Sequence, residues 1–168
     1  MSKSLFRVEW RPLAALASIA PQWRDLAARV LDPNVFYEPA FALAAAPVFG
    51  RDAGAGLVWS GATPPRLAGL FPAAIARHRY GLPLRVLTGW THPYGPLGTP
   101  LVDREAGEAA IAAWLDYLAL DAKMPKLMLM PSLATGGLFA QALGRALARR
   151  GGRSALFGRH ARATRARR

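Results

Sequence analysis

The sequence predicts a mixed α/β domain, of α+β character, in which helices flank one central sheet. Three observations carry this. Residues 5–10 alternate Leu, Arg and Glu with Phe, Val and Trp, the period-two pattern of a half-buried strand. The middle of the chain is β-rich and broken by Gly/Pro turns. The last third alternates helical and strand-like patterns.

Taken in order, Pro12 stops the first strand. Helical spacing follows at Trp23, Leu26, Ala27 and Val30, with Pro21 suited to a first turn and Asp32-Pro33-Asn34 ending the element. A second short helix is predicted over 39–48, with Pro47 in its last turn. Residues 57–60 and 67–79 read as strands joined by the turn 61–65; the turn 80–83 leads into a third strand at 84–88. An aperiodic loop, 89–103, comes next. Residues 105–120 place Ile111, Leu115 and Leu118 on one helical stripe. The uniformly apolar run 127–130 suits a strand covered on both faces. Residues 138–150 form a helix stopped by Gly151-Gly152, and 154–157 suit a final strand. The predicted order is therefore β-α-α-β-β-β-α-β-α-β.

At 168 residues the chain suffices for one sizeable core, and its 52% hydrophobic and 19% charged residues exclude a disordered body. With no cysteine, a disulfide framework, a thiolate nucleophile and Cys-based metal sites are excluded. The net charge of +12 is concentrated at one end. Residues 144–168 hold nine arginines and no acid, whereas the first 143 carry thirteen Lys and Arg against ten acids. We therefore divide the chain into a domain, 1–158, and an Arg-rich tail, 159–168, read either as a solvated end or linker or as a nonspecific contact for nucleic acid or an anionic surface. The longest charge-free stretch, 127–144, contains Pro131, Gly136, Gly137 and Gln141 and reads as two elements joined by a turn, not as a membrane span. The apolar run 13–20 behind Lys3, Arg7 and Arg11 is too short for a secretory signal, so a cytoplasmic location is expected.

The element order, with Trp23-Arg-Asp-Leu, Pro33-Asn34-Val-Phe36-Tyr-Glu-Pro39-Ala-Phe41, Leu70-Phe-Pro-Ala-Ala-Ile and His92-Pro-Tyr-Gly-Pro-Leu-Gly98, resembles the amino-terminal half of a tandem GNAT-fold acetyltransferase family associated with bacterial cellulose biosynthesis and related to the Fem-type aminoacyltransferases. The resemblance covers most of residues 5–160. It implies an acyltransferase component whose donor is acetyl-CoA or another acyl-CoA, and whose partner is a second GNAT-like domain or chain. Family members run to roughly twice this length, so the sequence reads as a fragment, a truncated product or a lone domain, with the donor site in the other half.

A GNAT domain holds the pyrophosphate of coenzyme A on a Gln/Arg-x-x-Gly-x-Gly/Ala loop at a helix N-terminus. No such pattern stands between Thr88 and Glu105; it occurs as Gln141-Ala-Leu-Gly144-Arg-Ala146, inside a predicted helix whose amides already have partners. Weak or absent acyl-CoA binding by this chain alone follows.

The loop 89–103 is the best functional candidate. His92 and Tyr94 are the right types for general acid/base work, while Trp90, Gly95 and Gly98 mark a substrate or interface loop where backbone can approach a ligand. The competing reading is a proline-braced crossover whose aromatics fill a gap between splayed strands. His78, His160 and Glu38 read as a solvated strand end, a tail residue and a helix-start residue. Three scattered histidines give no metal constellation, and no serine lies in a Gly-x-Ser-x-Gly setting. Two functions stand open. In one, an amine attacks a thioester carbonyl near strands 84–88 and 127–130; in the other, the domain is a non-catalytic scaffold that docks a partner through the aromatic loop.

Overall fold

The computed structural model describes residues 6–79 and 81–158; the expected tail, 159–168, and His160 lie outside them. A six-stranded mixed sheet is flanked by four α-helices. The elements are β1 (Phe6–Pro12), a 3-10 turn at Leu13–Ile19, α1 (Ala20–Ala27), a 3-10 turn at Val35–Tyr37, α2 (Pro39–Phe49), β2 (Ala53–Ser60), β3 (Leu67–Ala76), β4 (Val86–Gly89), β5 (Leu101–Val102), α3 (Gly107–Leu120), β6 (Met128–Leu129) and α4 (Leu138–Arg149). Spatially the strands run β1-β2-β3-β4-β6. All neighbours are antiparallel except β4 and β6, which are parallel and joined through α3.

The order departs from the predicted one at two places. A short strand, β5, lies inside the supposed loop, and the expected final strand at 154–157 has no strand structure and is exposed. Its apolar residues Leu156 and Phe157 stay exposed instead of packing on the sheet, so a short apolar run alone misled. β5 has a specific cause. β3 uses one edge twice: its second half pairs with β4 and its first half with β5. Trp90 N–H still donates to the Pro72 carbonyl at 2.9 Å, and Asp103 N–H to Ala68 at 2.9 Å, so β4 and β5 are one interrupted strand from which residues 91–100 make an excursion. Pro72 sits at the interruption. A strand residue points its N–H and C=O to the same edge, so the donor that proline lacks would have faced the gap.

Each sheet face has its own core. The 3-10 turn Leu13–Ile19, α1 and α2 cover one face with Leu13, Leu16, Trp23, Leu26, Tyr37 and Ala42; α3 and α4 cover the other with Ile111, Trp114, Phe139 and Ala146. Trp23 and Leu70 are fully buried, while Trp10, Phe36, Phe41, Ile75, Leu115 and Met128 are partly so. At the start of α4, Leu138 is exposed and Phe139 enters the core.

β2 begins four residues before its predicted start. The segment Ala53-Gly-Ala-Gly56 contains no strand former, yet it is buried on both faces. A Cβ on Gly54 would lie 2.5 Å from the Trp10 ring, and one on Gly56 closer than 3.0 Å to the Trp114 ring. The glycines are there to admit the two indoles, which stack at 6.3 Å and 13°. Among the described residues, no helix is long and apolar enough to cross a membrane.

Candidate functional site

The excursion 91–100 and the ends of β4 and β6 meet the segment between α1 and α2 in a polar and aromatic cradle. Asn34, almost fully buried, accepts from Phe36 N–H at 3.1 Å and donates through Nδ2 to the carbonyls of Leu97 (2.9 Å) and Thr99 (2.8 Å). The Tyr37 hydroxyl donates to the Trp90 carbonyl, and the two rings stack at 6.2 Å. Burial pushes that hydroxyl far above the ordinary tyrosine range, which leaves it a fixed donor. Trp23 Nε1 donates to the Tyr37 carbonyl at 2.8 Å, and Trp90 Nε1 to Phe49 at 2.9 Å. Trp90 is thereby held at both ends.

His92 opens a tight turn. Its backbone exchanges hydrogen bonds with Gly95 at 2.9 and 3.2 Å. Its ring lies against Phe49 (4.6 Å, 1°) and Phe41 (6.0 Å, 12°), with both ring nitrogens buried and without a hydrogen-bond partner. Desolvation lowers its pKa from the usual histidine value. Tyr94, at the tip of the same turn, is 72% exposed, and its ring tilts against Phe49 at 5.8 Å. The structure thus brings the two residues into one turn, with the imidazole covered and the phenol open.

The close approaches that the two loop glycines permit are used within the chain. A Cβ on Gly95 would stand 2.6 Å from His92 Nε2, and one on Gly98 closer than 3.0 Å to the Pro131 carbonyl oxygen. Gly98 N–H donates to Ser132 at 3.2 Å, and Ala134 N–H to Thr99 Oγ1 at 3.2 Å. The excursion therefore packs onto the residues that leave β6, where splayed strands would otherwise admit a ligand. On the α2 side a cleft of about 460 Å³ remains, within the usual range for small-molecule sites, lined by Val48, Phe49, Arg51, Thr88, Trp90 and Thr91. The Thr88 hydroxyl is buried beside it without a hydrogen-bond partner.

The helix N-termini next to the parallel strands are the places where an anion would be held. A carboxylate of the protein itself occupies the one that starts α4, and another lies just ahead of α3. Asp32 reaches across the fold to accept from Leu138 N–H (3.1 Å) and Phe139 N–H (2.8 Å) at the start of α4, and a Cβ on Gly137 would collide with it. Asp103, buried, accepts from Glu105 N–H at 2.9 Å ahead of α3 and pairs with Arg29. The Gln141 pattern lies within α4, where Gln141 N–H already donates to Gly137 at 3.3 Å.

No family model, curated protein or solved structure matches this chain.

The remaining sequence candidates are dispersed. His78 is exposed beyond the end of β3, Glu38 occupies the N-cap of α2 without a side-chain cap bond, and no group of three metal-ligating side chains occurs among the described residues. Sequence reasoning missed Asp32, Asn34, Tyr37 and Asp103 as the cradle's organisers. The signal for the first two was present as Asp32-Pro33-Asn34, but it was spent on a helix stop.

The environment of His92 gives a pH expectation. Because its folded pKa lies below the unfolded value of about 6.5, the unfolded state binds the additional proton. Its contribution is full above that value and is lost as pH falls toward the folded pKa. Urea midpoints should therefore drop between pH 7.5 and 5 more steeply for the wild type than for His92→Phe, which keeps a ring against Phe49. Equal slopes would show that the imidazole is not desolvated in solution.

Proposed function

We propose that this domain is the donor-free half of a GNAT-like N-acyltransferase, a scaffold that presents the aromatic excursion and its cleft to an acyl-CoA-binding partner domain or chain. The observation that supports this most strongly is the occupation of the α4 N-terminus, directly after β6, by Asp32. A coenzyme A pyrophosphate brought to that end would meet a fixed negative charge and amides that already have acceptors. The mixed sheet flanked by helices, and the parallel pair formed across α3, support the fold part of the reading.

In this reading the thioester and the chemistry on it belong to the partner. The open Tyr94 phenol and the Phe49 edge supply an acceptor-side or docking surface. Catalytic use of His92 requires the turn 92–95 to open, because its nitrogens are covered.

Calorimetric titration of the isolated chain with acetyl-CoA tests the proposal. No saturable heat is expected. A dissociation constant near 10 µM, about −6.8 kcal/mol, would place a donor site in this chain and overturn it.

A further inference from the structure

The opposite end of the sheet, at the beginnings of β4 and β6, has a different character. β3 runs out through Arg77 and His78. The chain then reverses in a turn where Arg79 and Leu82 exchange backbone hydrogen bonds of 2.9 Å and Gly81 takes a φ of +74°. It returns through Pro83, Leu84 and Arg85. The Arg85 guanidinium donates to the Lys123 carbonyl at 2.7 Å, which fixes the connection between α3 and β6 beside the hairpin tip. That connection brings Lys123, Lys126 and Leu127 onto the same surface. Lys126 Nζ is anchored on the carbonyls of Leu118, Ala119 and Asp121, none of which neutralises its charge.

The surface mixes cations with bare aliphatic side chains. Leu82 is 61% exposed, Leu127 49% and Leu84 42%, while Arg77, Arg85, Lys123 and Lys126 are exposed around them. Asp121 is the acid on these two connections. An exposed leucine at a loop tip gains nothing from water, and three of them ringed by cations match an interface that is apolar beneath and anionic above.

We propose that this end of the domain binds the surface of an anionic phospholipid bilayer, with Leu82, Leu84 and Leu127 entering the headgroup–acyl boundary and Arg77, Arg85 and Lys123 meeting lipid phosphates. Charge complementarity selects an anionic partner. The three exposed leucines select a bilayer, whose acyl boundary would bury them, over the polyanionic backbone of a nucleic-acid strand. The proposal is independent of the acyltransferase reading.

Vesicle flotation of the full chain tests it, using phosphatidylcholine vesicles with and without about one third phosphatidylserine. Wild type should float with the anionic vesicles and not with the neutral ones. Leu82→Ser/Leu84→Ser and Arg77→Glu/Lys123→Glu should each lower partitioning at least about tenfold, with melting temperatures unchanged because all four sites are exposed. Leu127→Ser provides an independent third site should either double variant fold poorly. A chain lacking residues 159–168 should retain the leucine-dependent difference. Three results would overturn the proposal: hairpin variants that bind like wild type, binding abolished by the tail deletion alone, or leucine variants that are silent while the charge variant loses vesicles and duplex DNA together.

Discussion

Trp114→Ala is expected to cost about 4 kcal/mol of stability, the upper part of the range for emptying a buried aromatic site. Trp114 is fully buried and central to one core. Its ring stacks on Trp10 at 6.3 Å, Phe71 at 5.2 Å and Tyr117 at 5.6 Å, while Phe71 continues the contact to Phe139. Gly56 exists to receive that ring, so Gly56→Ala should by itself cost about 3 kcal/mol through overpacking. In Gly56→Ala/Trp114→Ala most of the second penalty should vanish, because the ring that clashes is gone. Urea denaturation of the four proteins measures this cycle; strictly additive losses would mean that β2 and α3 do not meet through these residues. Trp114→Phe should be much milder, since it also removes an indole N–H that is buried without an acceptor.

Asp103→Ala should be the most damaging single change in the cradle, at about 3 kcal/mol. Its carboxylate pairs with the largely buried Arg29 and accepts from Glu105 N–H. Arg29 donates in addition to Asp25 at 2.9 Å and to the Leu67 carbonyl at 2.7 Å. Removing Asp103 leaves the guanidinium against β3 with only an exposed acid to balance it. Replacing the pair with apolar residues, as Arg29→Met/Asp103→Leu, should recover much of the loss, because the cost lies in the orphaned charge. Equilibrium unfolding at neutral pH would decide the matter, and a loss under about 1 kcal/mol would show that Arg29 stays solvated.

The helices and the meander were legible because their signals are local. Pro21 and Pro39 begin α1 and α2, and the Ile111 and Leu118 stripe is the buried face of α3. Where the sequence misled, the deciding partner was distant. Ala53-Gly-Ala-Gly56 becomes strand because two indoles from elsewhere in the chain need its flat surface. The 154–157 segment has an apolar run, yet it lies exposed and pairs with no strand. For the candidate site, the sequence marks 89–103 as a loop and not as the interruption of a strand, since only the pairing of β3 reveals that. Asp32 and Asp103 looked like a helix stop and a loop end; nothing near them in sequence discloses the amides of α4 or the guanidinium of Arg29.

The reach of Asp32 has a kinetic consequence. It caps amides 106 and 107 positions away in the chain, and Asn34 and Arg29 bind partners 63 to 74 positions away. Closing loops of that length costs configurational entropy before any bond rewards it. These ties can form only once the strands have brought their ends together, so the cradle should consolidate after the folding barrier has been crossed. Substitutions there should then quicken unfolding and leave the refolding rate nearly untouched, the signature of contacts absent from the transition state.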